Sequence, residues 1–407
     1  MQKEEVEFIE DLRGDFMEAK LEYIELPYGR KPLRFTKPPK LIDIIEPNYI
    51  RPGAELKELL KKALLNPHGT PRLKDIVKPH HRVGIVLSDP TRNVPRQEML
   101  DALLEEINFV KDENITLFVG GGNHPEYDLK LLNLKDEIYR RFKIIYHHSM
   151  DDSDMQYAGR TKEGTEVRVN KKFMECDIKV LTGAIKPHYF AGFSGGAKGL
   201  LPGVSSFNTI ATNHLMKSRP SAKLGITDGN PVREDMEESA RLAGVNFILN
   251  VAMNHRGEVI GAVAGDVVIA HREGIKWTRK VSEVKVKKKA DIVIVSDKPP
   301  ITMDLYQASK LVAPGGCFLQ NGGSVILAAE CFDGTGPLNI VNTVIYETGL
   351  KNYLPEKHQV YLVSSLDEQT VKETYCKFAN SIDSLLTEFK DATVIILPYA
   401  GWIVPIN

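Results

Sequence analysis

The sequence predicts an α/β fold of two domains, with mostly parallel sheets, flanking helices and an active site in the interdomain cleft. Three observations predict it. Short apolar runs alternate with stretches of helical spacing, the pattern of parallel strands joined by crossover helices. Several apolar runs end in loops rich in glycine and charged residues, where ligands gather in open α/β sheets. The 407 residues, 42% hydrophobic and 26% charged, suffice for more than one core.

Up to Lys78 the chain shows short β-like runs and many prolines. "RVGIVLSD" (82–89) then reads as a strand, "PTRNVP" as a turn, and "RQEMLDALLEEINF" as a helix. "NITLFVGGGNHPE" repeats the scheme, with "EYDLKLLNLKDEIYRRF" (126–142) as its helix and "KIIYHH" as the next strand. "DIKVLTGAIKPH" is a strand running into the glycine-rich stretch 185–203. "SFNTIATNHLMKSR" and "PVREDMEESARLAG" follow as helices, "NFILNVAMN" and "EVIGAVAGD" as strands, and "VVIAHREGIKWTRKV" as a long amphipathic helix. The charge run "EVKVKKKAD" (283–291) reads as a solvated helix end or linker and marks a domain boundary. Beyond it strands and helices alternate: "ADIVIVSD", "DLYQASKLVAP", "GSVILAAE", "LNIVNTVIYETG", "QVYLVSS", "NSIDSLLTEFK" and "ATVIILPYAG". The division expected is a larger domain at 1–282, rejoined by 396–407, and a smaller α/β domain at 283–395.

Composition excludes several functions. A net charge of −1 gives no basic face for nucleic acid and no attraction to an anionic membrane. No apolar stretch reaches the roughly 18 residues of a membrane helix. The opening "MQKEEVEFIEDLRGDF" is acidic, unlike a signal or transit peptide, so a cytoplasmic protein is expected. Four cysteines without a CxxC pair argue for buried thiols rather than a metal site or disulfide scaffold.

Four loops follow apolar strands and carry reactive side chains: "SDPTRNVP", "GGGNHPE", "GAIKPHYFAGFSGGAKG" and "SDKPPITMDLYQASK". "GFSGGAKG" lacks the hydroxyl after its lysine that a magnesium-binding P-loop needs. A phosphate nested at Ser194, Gly195 and Gly196 stays open, as does a tight surface loop with a solvated lysine. His124 and His188 lie in glycine-flanked loops directly after strands, where an imidazole can exchange protons at neutral pH. His214 reads on its own as an ordinary helix histidine. Arg92 and Lys310 can hold a carboxylate, or form surface ion pairs. Asp89 beside Arg92 can orient it.

Together these loops resemble the nickel-pincer lactate racemase family. "DPTR" (89–92) resembles its Asp-x-Thr-Arg loop and "GGGNH" (120–124) its first catalytic-histidine loop. "PHYFAGFSGGAKGLLPG" (187–203) resembles its central motif, with histidine and lysine ten apart. His214 stands sixteen residues after Lys198, as the family's nickel-binding histidine does, and "YQASK" (306–310) resembles its substrate segment. The resemblance implies that Lys198 covalently carries a pyridinium-3,5-bisthiocarboxylic acid mononucleotide holding nickel, with His214 completing the metal's coordination. Asp89, Thr91, Ser194, Gly195 and Gly196 would line the cofactor. Arg92, Tyr306, Gln307 and Lys310 would bind a 2-hydroxy acid, lactate or a related one. His124 and His188 would be the acid/base pair that inverts its hydroxyl-bearing carbon, with hydride passing to and from the cofactor. Cofactor-biosynthesis proteins would be partners in maturation. The residues alone leave two other readings: a cofactor-free two-base racemase, and a non-catalytic nucleotide- or phosphate-binding protein.

Overall fold

The computed structural model describes residues 23–406, so the acidic opening segment and the expectation resting on it lie outside the described residues. Two six-stranded sheets organise the chain. In the first the spatial order is Val259–Gly265, Phe247–Met253, Ile178–Ile185, Val83–Ser88, Ile115–Gly120, Lys143–Tyr146. All neighbours are parallel except the first pair, which is antiparallel. Val83–Leu87 and Phe247–Met253 are buried on both faces, which is why they read as unbroken apolar runs rather than alternating ones.

From Val83–Ser88 the chain builds outward to one edge, then returns to add Ile178–Ile185 on the other side. Strand order therefore reverses between these two strands. Such a reversal opens a crevice at the carboxyl ends of parallel strands. The loops holding Asp89, His124 and His188 leave three adjacent strands at that end.

The second sheet runs Lys377–Phe378, Gln359–Val363, Leu319–Ala328, Ala290–Val295, Val394–Leu397, Leu41–Ile44, all parallel. Its order reverses between Ala290–Val295 and Val394–Leu397, so the loops with Asp297 and with Trp402 leave beside a second switch point. Leu41–Ile44 comes from the start of the chain, and Val404–Ile406 pairs with Glu283–Lys285. One continuous core joins Val86 and Leu181 of the first sheet with Val293 and Leu397 of the second.

Helices form at Arg96–Glu106, Phe207–Leu215, Pro231–Leu242 and Ile269–Ser282, as the spacing predicts. Elsewhere the structure differs. The single helix expected over 126–142 is a short 3-10 turn, Leu129–Leu132, and a helix, Asp136–Arg141. Asn133 in the left-handed conformation (φ 54°) ends the first turn between them. Ile340–Glu347 is a π-helix, a wider coil with the same apolar content. The charge run opens as a strand, Glu283–Lys285, and its exposed residues are Lys285 and Lys287–Lys289. Before Lys78, Leu56–Leu65 is a helix that buries Leu60, Ala63 and Leu64 along one stripe. The four cysteines are free. Among the described residues no helix is long and apolar enough to cross a membrane.

Candidate active site

Asp89, only 3% exposed, ends the Val83–Ser88 strand and organises the loop after it. The Thr91 N–H donates to Asp89 Oδ1 at 2.9 Å, and the Thr91 hydroxyl donates to the same oxygen. Arg92 Nε and His124 Nδ1 approach Asp89 Oδ2 at 3.5 and 3.4 Å. Burial opposes ionisation of this carboxyl, but the imidazole of His124, the Arg92 guanidinium and Thr91 together hold it well below the usual carboxylate range. Buried Arg96 braces the turn from beneath, donating to the carbonyls of Ser88 (2.8 Å), Asp89 and Arg92.

His124 is positioned from the neighbouring strand. Its N–H donates to Gly121 O at 3.0 Å, and the Gly122 N–H donates to Gly203 O at 3.0 Å. Gly122 has φ 56°, and a Cβ there would meet Pro202 at 3.0 Å, so glycine lets the His124 loop lie against the end of the 185–203 stretch. Arg92 Nη2 lies 3.2 Å from His124 Nε2. A guanidinium only donates, so Nε2 is the acceptor and the ring proton sits on Nδ1, facing Asp89. Burial first, with the charges of Arg92 and Lys310, lowers the His124 pKa against the pull of Asp89. A neutral ring is therefore favoured at pH 7, with Nε2 the unprotonated nitrogen, facing Arg92.

His188 stands in a tight two-residue ribbon, paired with Gly192. The Ala191 N–H donates to its Nδ1 at a long 3.4 Å. Next to it, Phe190 is the hub of the arrangement. Its ring centroid is 4.6 Å from that of His188 and 5.0 Å from that of His214, with Lys198 Nζ at 5.6 Å and Lys217 Nζ at 5.9 Å. Burial, and then the neighbouring cations, depress His188, His214 and Lys198 well below their ordinary values. Lys198 makes no side-chain hydrogen bond or salt bridge among the described residues. His214 Nδ1 lies 3.1 Å from Asn213 Oδ1, which fixes the proton on Nδ1 and leaves Nε2 with its lone pair. No three metal-binding side chains converge among the described residues, so a metal here needs ligands beyond the protein's own.

From the second sheet, Asp304 caps a short helix by accepting from the Gln307 N–H at 2.6 Å. Lys310 donates to Gln307 Oε1 and lies 4.9 Å from the centre of the Tyr306 ring. Burial, with Arg92 and Lys217 adding to it against Asp304, pushes Lys310 down to about 7. The Lys310 charge is felt at His124, His188, Lys198 and His214, so its loop shares one electrostatic neighbourhood with theirs.

The glycine loop behaves differently from the phosphate nest left open by its composition. Ser194 Oγ donates to Ala184 O at 2.8 Å and accepts from the Lys186 N–H at 2.9 Å. The Gly196 N–H donates to Asn250 Oδ1 at 2.6 Å. A Cβ on Gly195 would strike Asn250, and one on Gly196 would strike His271. Fully buried Arg233 donates to the carbonyls of Ala191, Phe193 and Gly195. The donors of Ser194 and Gly196 are thus spent inside the protein, and these residues shape the loop rather than facing an anion.

Sequence reasoning missed Phe190, Lys217, Arg233 and Asn250. Lys217 had a signal, standing three residues after His214 on the same helical face. Asn250 and Arg233 had none, since their partners are backbone groups distant in sequence. Trp402 and Lys186 also meet here, with Lys186 Nζ 4.8 Å from the indole centre. Burial pushes Lys186 down to about 8, and burial pushes Asp297, which faces it, up to about 6.

Residues 28–225 match the family described as the lactate racemase N-terminal domain. The lactate racemase of Thermoanaerobacterium thermosaccharolyticum is 32% identical, covering 84% of this chain and 85% of its own. That of Lactiplantibacillus plantarum is 31% identical, covering 79% and 77%. The solved lactate racemase apoprotein from T. thermosaccharolyticum superposes with a TM-score of 0.84 at 28% identity, over 95% of this chain and all of that one. A Thermotoga maritima crystal structure at 16% identity and a TM-score of 0.67, covering 88% of this chain and all of its own, shares the fold.

Proposed function

Since the chain belongs to the lactate racemase family, and is thereby an isomerase of the racemase type, we propose that it inverts the hydroxyl-bearing carbon of a 2-hydroxy acid, lactate or a related acid, with a nickel-pincer pyridinium mononucleotide tethered to Lys198. The observation that carries this reading is the set around Phe190: an unpaired amine, an imidazole with a free Nε2 and a second imidazole, beside the Asp89–His124 pair. The residues fit the group. Burial lowers the Lys198 amine well below an ordinary lysine, which favours the uncharged form that a nucleophile needs. His214 offers one nitrogen lone pair, oriented by Asn213 as metal-binding imidazoles usually are by a neighbour. When bound, the group supplies the site that takes and returns the hydride.

The remaining work belongs to the chain's own side chains. Arg92 and Lys310 hold the substrate carboxylate, and Gln307 and Tyr306 hydrogen-bond beside it. A carboxylate on Arg92 brings the adjacent hydroxyl to His124 Nε2, which takes its proton while Asp89 steadies the imidazolium. His188 does the same for the other enantiomer. Phe190 packs between His188 and His214 and shields them from water. In this reading 1–282, rejoined by 396–407, carries the cofactor, and 283–395 supplies Tyr306, Gln307 and Lys310 across a cleft that closes on substrate. Cofactor-biosynthesis proteins load the chain in the cytoplasm.

Coexpression with such proteins tests the proposal. Intact-mass spectrometry is expected to show an adduct on the wild-type chain and none on Lys198→Ala. The loaded protein should racemise a 2-hydroxy acid while retaining a deuterium label at the inverted carbon. His124→Ala and His188→Ala should each slow both directions by about 10²–10⁴-fold, the usual worth of a general base. Loss of the label to solvent, or an adduct that persists on Lys198→Ala, overturns it.

A further inference from the structure

Lys217 is a buried cation that none of the roles above uses. It is 4% exposed and lies in the short turn Met216–Ser218 that continues the helix bearing His214. Three residues separate it from His214, so both project from the same side of the helix. Its ammonium sits 5.9 Å from the centre of the Phe190 ring, on which Lys198 also converges at 5.6 Å. Among the described residues it donates no side-chain hydrogen bond and pairs with no carboxylate. Its charge is felt at both His214 and Lys310. An ammonium held largely away from water without a counter-ion is unfavourable, and an anion arriving beside it relieves that cost.

The glycine loop sharpens the question of which anion. A mononucleotide held at Lys198 brings a phosphate monoester into this region. The donors of Ser194 and Gly196, the obvious cradle, are already bonded to Ala184 O and Asn250 Oδ1. The substrate carboxylate has its own partners in Arg92 and Lys310. Lys217 stands with the cofactor-side residues, one turn beyond His214, and a compact ammonium suits a dianionic phosphate as a point charge.

Resting on the proposed function, we propose that Lys217 anchors the phosphate of the mononucleotide, replacing the glycine-loop nest that the sequence suggests. The site would then recognise a pyridine mononucleotide by three separated contacts: Lys198, His214 through the metal, and Lys217 at the phosphate.

The test needs no loaded enzyme. Calorimetry on the unloaded wild-type chain, Lys217→Met, Lys217→Gln and Lys217→Arg would use nicotinic acid mononucleotide, its dephosphorylated riboside and inorganic phosphate. The mononucleotide should bind wild type and Lys217→Arg similarly, and the two neutral variants about 10- to 100-fold more weakly, the range for a lost charge-assisted hydrogen bond. The riboside should bind all four alike, and inorganic phosphate should compete with the mononucleotide on wild type and Lys217→Arg but not on the two neutral variants. Circular dichroism identifies the folded variants, and the glutamine variant serves if the methionine variant does not fold. Equal mononucleotide affinity in wild type and a folded neutral variant overturns the assignment, as does an equal loss of riboside affinity or no saturable binding to wild type. An adduct on Lys198 combined with phosphate-blind binding would sink Lys217's role alone. Lys217-dependent phosphate affinity without any adduct would sink the tethered cofactor alone.

Discussion

Lys310 meets two opposing demands. In its proposed role it must be charged to hold a carboxylate, yet burial and the neighbouring cations Arg92 and Lys217 bring it down to about 7, far from a free lysine. Its ordinary value is near 10.4, so the fraction charged in the free enzyme falls as pH rises through 7 rather than through 10. The histidines set the other limit. His124 and His188 are lowered below 6.5, so both are free bases at neutral pH and are lost only on acidification. The expected profile of kcat/KM is a bell with its alkaline limb starting near 7. That limb should appear mainly as a rising KM, since Lys310 binds rather than reacts. Lys310→Arg, which stays charged, should flatten the limb even if its longer side chain lowers the maximum. An alkaline limb unchanged in the arginine variant would remove Lys310 from carboxylate binding.

At the scale of elements, the glycine loop owes its shape to a helix behind it. Asn230 caps Pro231–Leu242 by accepting from the Val232 and Arg233 N–H groups, and its Nδ2 donates to Phe190 O at 2.8 Å. From the first turn of that helix Arg233 reaches three loop carbonyls. Arg233→Met should remove a donor from each of those carbonyls. Ala191 O and Gly195 O keep the N–H groups of Phe193 and Lys198, so the cost should be about 1–3 kcal/mol, that of one buried group losing its partner. It should also lower adduct formation at Lys198, because the loop that presents the amine is no longer held. Thermal unfolding and intact mass measure the two effects, and an unchanged midpoint with normal loading would show that the loop stands without the helix. The same element shows where sequence reading stopped. The strands were legible because burial on both faces writes them as apolar runs, and Asp89, His124, His188 and Lys198 because each follows such a run. Arg233 and Asn250 were not, since a side chain bonded to distant carbonyls and amides leaves no local pattern. The break at Asn133 was hidden for a related reason: one left-handed residue interrupts a helix without disturbing the apolar spacing around it. The nest left open at Ser194, Gly195 and Gly196 was a correct reading of glycine's freedom, but at Gly195 and Gly196 that freedom serves close packing on Asn250 and His271.

Across the whole molecule both sheets contribute cations to a single region. Arg92, Lys198 and Lys217 come from the part of the chain that builds the first sheet and Lys310 from the second, while Asp89 and Asp304 are the carboxylates that act on them. The free protein therefore carries a stability penalty that an anion relieves. Lys186 and Lys217 at about 8 and Lys310 at about 7 all have folded values below the unfolded one near 10.4. Between about pH 7 and pH 9 these lysines make the unfolded chain bind more protons than the folded chain, so folding stability should rise with pH across that window. From about pH 9 the four cysteines, all raised by burial, oppose the rise. The tyrosines reverse the sign above it. Burial raises Tyr28, Tyr146 and Tyr353, so above pH 10 the folded state holds more protons and stability falls again. Phosphate should act in the same direction as alkalinity, adding about 2.7 kcal/mol when present at a hundred times its Kd. The two should not be additive, because the proton lost on raising the pH is the one the anion needs. Differential scanning fluorimetry from pH 6.5 to 9.5, with and without phosphate, reads this directly. A stabilisation by phosphate that is large at pH 7 and fades by pH 9 is the expected outcome. A phosphate effect independent of pH, or a stability that falls steadily from pH 7, would mean that these lysines are not the groups that set the charge of the site.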